Sequence, residues 1–555
     1  MAAVAAAFKL TVTIAKNLQA NVYRYQHEKK IVIEKLRLTF CSSALLIAVL
    51  VVLGVFFRFA NLDKKIYWPD EIGTSFRIAG YTAKELKQEF FAEHDITVQD
   101  IQKYQRVRSD RGVLDVIGYL ALEEPQHPPL YFVLARLWAE LFGDFTGAIR
   151  SLSAFLSLLA IPGLYWLCRE LFDSPSIASL ATMLIAVSPF HVLYAQEARP
   201  YSLWILMTIL SSAALLRAMR LKTVRSWALY ALTLVGGMYS HLFFGLVVLG
   251  HGIYVVTPNG VAFKRSSPYL VSSAVAFMFF LPWVLAIIFG ISQAQKTTEW
   301  IRAAEVGPLD TLKRWTFVFS NVFMDTGTSD ILKMTYGIDS LWIHLIRLPV
   351  LLLIGYSLYF LYREASSRIT LFVFALAGSS LVPLIFPDLI LGWQLSNHPR
   401  FLIPYYLSAL LSVAYLLTAK CLLQKPDRRA WQAITVIVVC GGVVSCALSF
   451  HAETWWNKGG TTPQLARIIN QAARPLLISA FDTGSLVNVS SLSSLLAQRV
   501  RIRVVTDSNE LQIPDDGTDV FLIDPPESLR QRFAGSGYRL EPAYATQLWR
   551  LTKTP

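Results

Sequence analysis

Charge is scarce in this 555-residue chain: Asp, Glu, Lys and Arg make up 16% of it against 54% hydrophobic residues. A water-soluble domain carries about a quarter of its residues charged. With a mean hydropathy of +0.45, the composition excludes a soluble average and makes the bilayer the main solvent. Cysteine is scarce too. Cys41, Cys168, Cys421, Cys440 and Cys446 lie in or beside apolar segments without a CxxC pair, so neither a disulfide framework nor a zinc site is indicated. No HExxH, Walker loop, GxSxG, or GxGxxG in a strand-to-helix context occurs, which removes the sequence grounds for zinc, ATP, a serine hydrolase triad or a dinucleotide. Fixed-period repeats and low-complexity tracts are missing as well. No spacing demands a cofactor, and a divalent metal stays open.

What is present is a series of apolar stretches, each of roughly 17 to 25 residues and long enough to cross about 30 Å of hydrocarbon. They run over Thr39–Phe59, Ile149–Leu167, Ile177–Tyr194, Tyr201–Ala218, Trp227–Tyr239, Leu242–Val256, Tyr269–Ile291, Ile343–Tyr362, Ile369–Leu391, Phe401–Ala419 and Trp431–Phe450. The expected fold class is an α-helical polytopic membrane protein of about 11 transmembrane helices plus interfacial helices. Leu130–Phe142 is short and carries Arg136 and Glu140, so it reads as interfacial or re-entrant.

The net charge of +13 sits mainly in short links between apolar runs, which points to topology and away from nucleic acid. The basic segments are the N-terminus, Cys168–Glu170, Arg217–Arg225, Lys264-Arg265, Tyr362–Arg368 and Lys420–Arg429. Alternating spans place all of them in the cytoplasm, as the positive-inside rule requires. Residues 1–38 then form a cytoplasmic N-terminal segment, with no cleavable leader expected. Residues 39–450 form the transmembrane domain, with a long first extracytoplasmic loop at 60–126. Residues 451–555 form a small extracytoplasmic α/β domain, with strands at Pro475–Ala480, Val500–Val505, Asp519–Asp524 and Tyr544–Leu551 and helices at Thr462–Ala473 and Pro526–Phe533. The expected location is the plasma (inner) membrane.

Polar groups gather on that outer face. In Tyr67-Trp68-Pro69-Asp70-Glu71 two adjacent carboxylates follow interfacial aromatics; near a low-dielectric boundary one of them can be raised in pKa and serve as a general base on a hydroxyl. The plainer reading is that Pro69-Asp70-Glu71 opens a helix. In Gln126-His127-Pro128-Pro129 the prolines fix where His127 points, toward a phosphate or merely as a cap. Arg58, Arg199 and Arg400 stand at outer span ends, where guanidinium suits a phosphate bidentately, although a single arginine there is as readily a snorkelling one. His241, in Tyr239-Ser240-His241, is a candidate acceptor or metal contact, or a satisfied interfacial histidine. If these groups converge outside, beyond the reach of nucleotide sugars, an activated sugar must arrive on a membrane lipid. A polyprenyl-phosphate sugar supplies a leaving group that arginine stabilises while a carboxylate takes the acceptor proton.

The ordered set Trp68-Pro69-Asp70-Glu71, His127-Pro128-Pro129-Leu130-Tyr131, Gln196-Glu197-Ala198-Arg199-Pro200-Tyr201, Tyr239-Ser240-His241 and Pro399-Arg400-Phe401-Leu402-Ile403-Pro404 resembles the bacterial protein mannosyltransferase-like family of GT-C glycosyltransferases. That family is related to the dolichyl-phosphate-mannose protein mannosyltransferases and the aminoarabinose lipid A transferases. The resemblance implies a GT-C fold, a catalytic first loop, a polyprenyl-phosphate sugar donor and inversion at the sugar carbon. It implies Asp70 as the catalytic base with Glu71, its neighbour, in acceptor or site organisation, and His127, Arg199 and Arg400 as donor-phosphate candidates. The aminoarabinose branch has a Lys where His127 stands. The acceptor is left open among protein, lipid and glycan. A transporter or lipid flippase is the rival reading; such proteins usually gather polarity near the midplane and often show paired repeats, whereas here polarity lies at one interface.

Overall fold

In lipid every backbone N–H and C=O must be paired within its own segment, so long apolar runs become helices. The computed structural model describes residues 45–82, 85, 95–257, 267–299, 307–327, 340–422, 426–456, 458–480, 483–505, 513, 517–533 and 538–553. The N-terminal segment 1–38, the start of the first span and the pair Lys264-Arg265 lie outside the described residues. Two units are distinguished. Residues up to Leu53 contribute the first turns of helix α1 (Leu45–Phe59), and Gly54–Pro555 holds the elements that follow.

In chain order these begin with α2 (Pro69–Ala79), β1 (Ile96–Thr97), α3 (Val98–Gln102), α4 (Val113–Glu123) and α5 (Leu130–Phe142). The helical body comprises α6 (Thr146–Phe172), α7 (Pro175–Ala186), α8 (Pro189–Ala195), α9 (Tyr201–Leu221), α10 (Val224–Ser240), α11 (Phe244–Val256) and α12 (Ser267–Phe289), then α13 (Pro308–Ser320), α14 (Ser340–Glu364), α15 (Ser367–Leu391), α16 (Ile403–Leu422) and α17 (Arg428–His451).

Seven of these helices are long and apolar enough to cross a membrane, eight if the bent pair α7–α8 is one span. The chain is a multi-pass membrane protein. Every expected crossing falls on a helix, but α11, at 13 residues, is too short for about 30 Å of hydrocarbon at 1.5 Å per residue. The expected single span over Ile177–Tyr194 is broken by 55°, because Pro189 opens α8 and has no N–H to continue α7. Leu130–Phe142 is a separate amphipathic helix, buried along Tyr131, Phe132, Ala135, Arg136 and Ala139.

The tail adds α18 (Thr462–Gln471), β2 (Pro475–Ala480), α19 (Thr483–Ser493), β3 (Arg501–Val505), β4 (Asp519–Ile523), α20 (Glu527–Phe533), β5 (Tyr538–Tyr544) and β6 (Leu548–Lys553). Their sheet has the order β1-β3-β2-β4-β6-β5. In the parallel centre β3-β2-β4, β2 and β4 are buried along nearly their whole length, as strands covered on both faces must be. Leu476, Ile478, Val520 and Leu522 meet Leu529 and Phe533 of α20 in its core. The expected strand Tyr544–Leu551 is split: Leu548–Leu551 lie on β6, and the residues before them turn the corner of the β5–β6 hairpin, where Gln547 N–H donates to Tyr544 O and Ala545 takes φ 44°. That corner contains no Gly, Pro, Asn or Asp to mark it. The edge strand β1 comes from the first loop, pairing Ile96 with Ile502 and Thr97 with Arg501, so the tail's sheet is completed by a segment some 400 residues earlier.

Candidate active site

Helix α2 sets the site's geometry. Trp68 is extended at its N-cap, Pro69 starts the first turn, and Gly80 closes the helix at φ 82°, a conformation glycine adopts without the cost a Cβ brings. Asp70 and Glu71 thus occupy the first turn, where the helix dipole favours carboxylates; opening a helix and facing a site are here the same placement. One residue apart on a helix, the two point to different surroundings.

Asp70 accepts a hydrogen bond at Oδ2 from Arg400 Nη1 (2.7 Å), and a third of its side chain is exposed. Arg400 also donates to Tyr201 Oη (3.3 Å). Arg199 Nη1 donates to the backbone oxygen of Asp70 (3.0 Å) and lies 3.4 Å from Thr74 Oγ1. Burial disfavours the Asp70 carboxylate, but Arg400, Arg199, Arg77 and Lys458 outweigh it and hold the carboxyl below its ordinary value.

Arg77 stands on the same helix at i+7 from Asp70, and its Nε donates to Glu124 Oε2 (2.7 Å). His127 Nε2 is 3.6 Å from that carboxylate oxygen. Burial, followed by Arg77, Arg199, His241 and Arg400, pushes His127 well below the usual imidazole value, so the ring is neutral and offers a hydrogen bond rather than a charge. Two guanidinium atoms in this group, Arg77 Nη1 and Arg199 Nε, are buried without a hydrogen-bond partner, an arrangement that costs free energy until an acceptor arrives.

The tail contributes Lys458, which follows the tight turn closed by Lys458 N–H to Trp455 O (3.1 Å). Its ammonium pairs with Glu197 and lies 4.9, 4.6 and 5.0 Å from the ring centroids of Trp68, Tyr194 and Trp456. Burial raises the Glu197 carboxyl, and Lys458 opposes that shift. Above this floor opens a cavity of about 1020 Å³ whose wall includes Trp68, Pro69, Arg400 and Lys458. Neither Arg77 nor Lys458 was an expected site residue. The spacing 70, 74, 77 on one helical face points to Arg77; nothing local points to Lys458.

Two expected residues are elsewhere. Glu71 is fully buried, its oxygens taken by Arg150 Nε (2.8 Å), Arg150 Nη2 (2.6 Å) and Ala198 N–H (2.7 Å). Arg150 also donates to the carbonyls of Leu62, Lys65 and Ile66. Glu71 is therefore a strut joining α2, α6 and the turn before α9, with no exposed surface to meet a substrate. Arg58, expected at the donor phosphate, is also fully buried. It donates to Ser157 Oγ and to the carbonyls of Gly54, Ile185 and Ala186, so it caps the C-terminal end of α7 at the bend, where a cation suits the dipole. His241 stacks on Trp204 at 4.2 Å and 4°, and its Nδ1 accepts from Phe243 N–H (3.2 Å). Among the described residues it joins no group of three or more His, Cys, Asp or Glu able to hold a metal.

The crystal structure of ArnT from Cupriavidus metallidurans bound to undecaprenyl phosphate superposes with TM-score 0.50 at 14% identity, over 92% of this chain and 97% of that one. Its apo form superposes with TM-score 0.51 at 12% identity, over 92% and 98%. The chain has the GT-C fold. Residues 126–285 of this GT-C chain also match the family model of dolichyl-phosphate-mannose-protein mannosyltransferase, a segment that holds His127, Arg199 and His241. The archaeal oligosaccharyltransferase AglB from Archaeoglobus fulgidus, in complex with an inhibitory peptide and a dolichol-phosphate, gives TM-score 0.46 at 11% identity over 81% of this chain and 63% of that one. A search of curated protein sequences returns no match.

Proposed function

We propose that this GT-C chain is a membrane glycosyltransferase that moves a sugar from a polyprenyl-phosphate donor to an extracytoplasmic hydroxyl, with inversion and with Asp70 as the base. The observation that carries this reading is the Asp70–Arg400 pair backed by Arg199 and Arg77, two of whose buried guanidinium atoms have no acceptor. A sugar phosphate meets that arrangement atom for atom. Its phosphate oxygens take the bonds of Arg400, Arg77 and Arg199, with His127 as a neutral donor beside them.

The acceptor oxygen attacks the anomeric carbon while Asp70 takes its proton, and the carbon–oxygen bond to phosphate breaks on the opposite side. Polyprenyl phosphate leaves with the electron pair, its charge held by the arginines. A single displacement inverts the centre. In the free protein Arg400 depresses the basicity of Asp70; an arriving phosphate offsets that charge and restores it, so the base is strongest when the donor is bound.

The positions of the basic links support an outward-facing site. Glu170, at the far end of α6 from Arg150, pairs with Arg220 (2.8 Å) and accepts from Arg368 at its carbonyl (3.3 Å). Three links rich in Lys and Arg thus meet at the end away from Asp70, as the positive-inside rule expects of the cytoplasmic side. The transmembrane body, the catalytic loop 60–126 and the tail 451–555 are the working parts in this proposal.

The test is transfer by purified protein in lipid, supplied with a panel of radiolabelled polyprenyl-phosphate sugars and an envelope extract. The Asp70→Asn variant is expected to lose about 100- to 10,000-fold in kcat. Equal turnover by both proteins would remove Asp70 as the base, and no release of polyprenyl phosphate from any donor would sink the transferase reading.

A further inference from the structure

The cavity has more cationic wall than one phosphate requires. Besides Arg400 and Lys458 it is lined by Lys313, Arg314 and Arg347, against the carboxylates Asp310 and Asp524. Lys313 is matched by Asp310 at 3.0 Å. Arg347 and Arg314, by contrast, form no ion pair among the described residues.

Arg347, near the start of α14, is 2% exposed. Its Nη2 donates to Thr326 Oγ1 (3.0 Å) and Gly327 O (2.7 Å), its guanidinium lies 4.8 Å from the Phe317 ring centroid, and its buried Nε has no partner. The carboxylate that acts on it is Asp325, but those oxygens are engaged by Trp455 Nε1 (2.8 Å), Trp456 Nε1 (2.6 Å) and Gly327 N–H (2.9 Å). Burial moreover raises the Asp325 carboxyl. On α13, Arg314 Nη1 donates to a neutral amide, Gln394 Oε1, at 2.8 Å. Arg314 is exposed to solvent, whereas Arg347 is a buried guanidinium held by neutral groups, which is costly unless an anion joins it.

We propose that Arg347 and Arg314 form a second anion site in the same cavity, for a phosphate or carboxylate group other than the phosphate held at Arg400. His398 also lines the cavity, beside Pro399-Arg400 in the chain. Burial, then Arg400 and Arg314, push it down to about 3, so its ring is neutral and adds no charge to the wall. One anion at each centre leaves both arginine groups compensated, and the hydroxyl acceptor is the natural carrier of the second. The assignment to an acceptor rests on the proposed transferase reading; the site itself does not.

The experiment measures binding, so its outcome is independent of any sugar transfer. Full-length protein in lipid nanodiscs is saturated with a short prenyl monophosphate, and inorganic phosphate is then titrated while thermal stability is followed. The wild type is expected to gain further stability. Arg347→Gln and Arg314→Gln are each expected to weaken that second response by about tenfold or more, as for a lost charged hydrogen bond, with prenyl monophosphate binding little changed. Arg314→Gln matters most here, because its side chain touches no backbone group whose loss would disturb the fold.

A prenyl diphosphate identifies the source. If it binds about tenfold more tightly than the monophosphate in the wild type and not in Arg347→Gln, the second anion belongs to the donor; if it binds no more tightly, the acceptor carries it. Direct competition between phosphate and prenyl monophosphate, no response to phosphate in the wild type, or equal loss of monophosphate binding in the Arg314 and Arg400 variants would each overturn the second site.

Discussion

Asp70 and Glu71 are joined by one peptide bond and have opposite energetics. Glu71 is fully buried against Arg150 with both of its oxygens hydrogen-bonded, and removing one partner of such a buried pair strands the other charge, at about 3–5 kcal/mol. Glu71→Gln is expected to lower the thermal unfolding midpoint clearly, while Asp70→Asn, at a carboxyl that still meets the cavity, leaves it nearly unchanged; scans of both proteins in one lipid decide this. The pH dependence separates Asp70 further. Its folded value is lowered because Arg400 and its neighbours outweigh burial. The acid limb of kcat/KM is therefore expected below the ordinary carboxylate range, active above that value and lost as pH falls through it. Arg400→Gln removes the leading cation and leaves burial, so the limb moves to higher pH. An unmoved limb in that variant would mean that another group carries the proton.

Among elements, α2 does most to assemble the site, and it was largely legible: Pro69 at its start, acids in its first turn and Gly80 at its end fix its frame. Asp70, Arg199 and Arg400 were legible for the same reason, since each stands beside a proline-marked turn at a helix end. The surroundings of Glu71 and Arg58 were not legible because a buried side chain's partners are a tertiary property; Arg150 lies 79 residues from Glu71, and the Ala186 carbonyl 128 residues from Arg58. Nor did anything local announce β1, two residues long and stabilised from outside. Its neighbour Asp95 pairs with Arg503 (2.6 Å) and Arg501 (3.2 Å) on β3. Because these pairs are only partly buried, Asp95→Ala is expected to cost about 1 kcal/mol or less. Its signature is local: amide exchange at Ile96–Gln102 speeds up while the spans are unaffected.

At the scale of the whole molecule, the helical body supplies Arg199 and Arg400, the first loop supplies Asp70, and the tail supplies Lys458, with Ser491 also donating to Tyr67 O (2.6 Å). A chain ended after Ala452 is expected to insert in the membrane and lose sugar transfer, because α2 loses its packing against α19 and the cavity loses a wall. Retained activity in such a truncation would show that the tail is dispensable for chemistry. The edge strand β1 has a consequence in time. A chain is made from its N-terminus, and Ile96 must wait for Ile502 before it has a partner. The first loop therefore lacks its strand partner through the synthesis of four hundred further residues, and α2 acquires its finished surroundings only when the tail has been made. On the proposed function, an incomplete chain is expected to lack activity because of the order in which its parts are made.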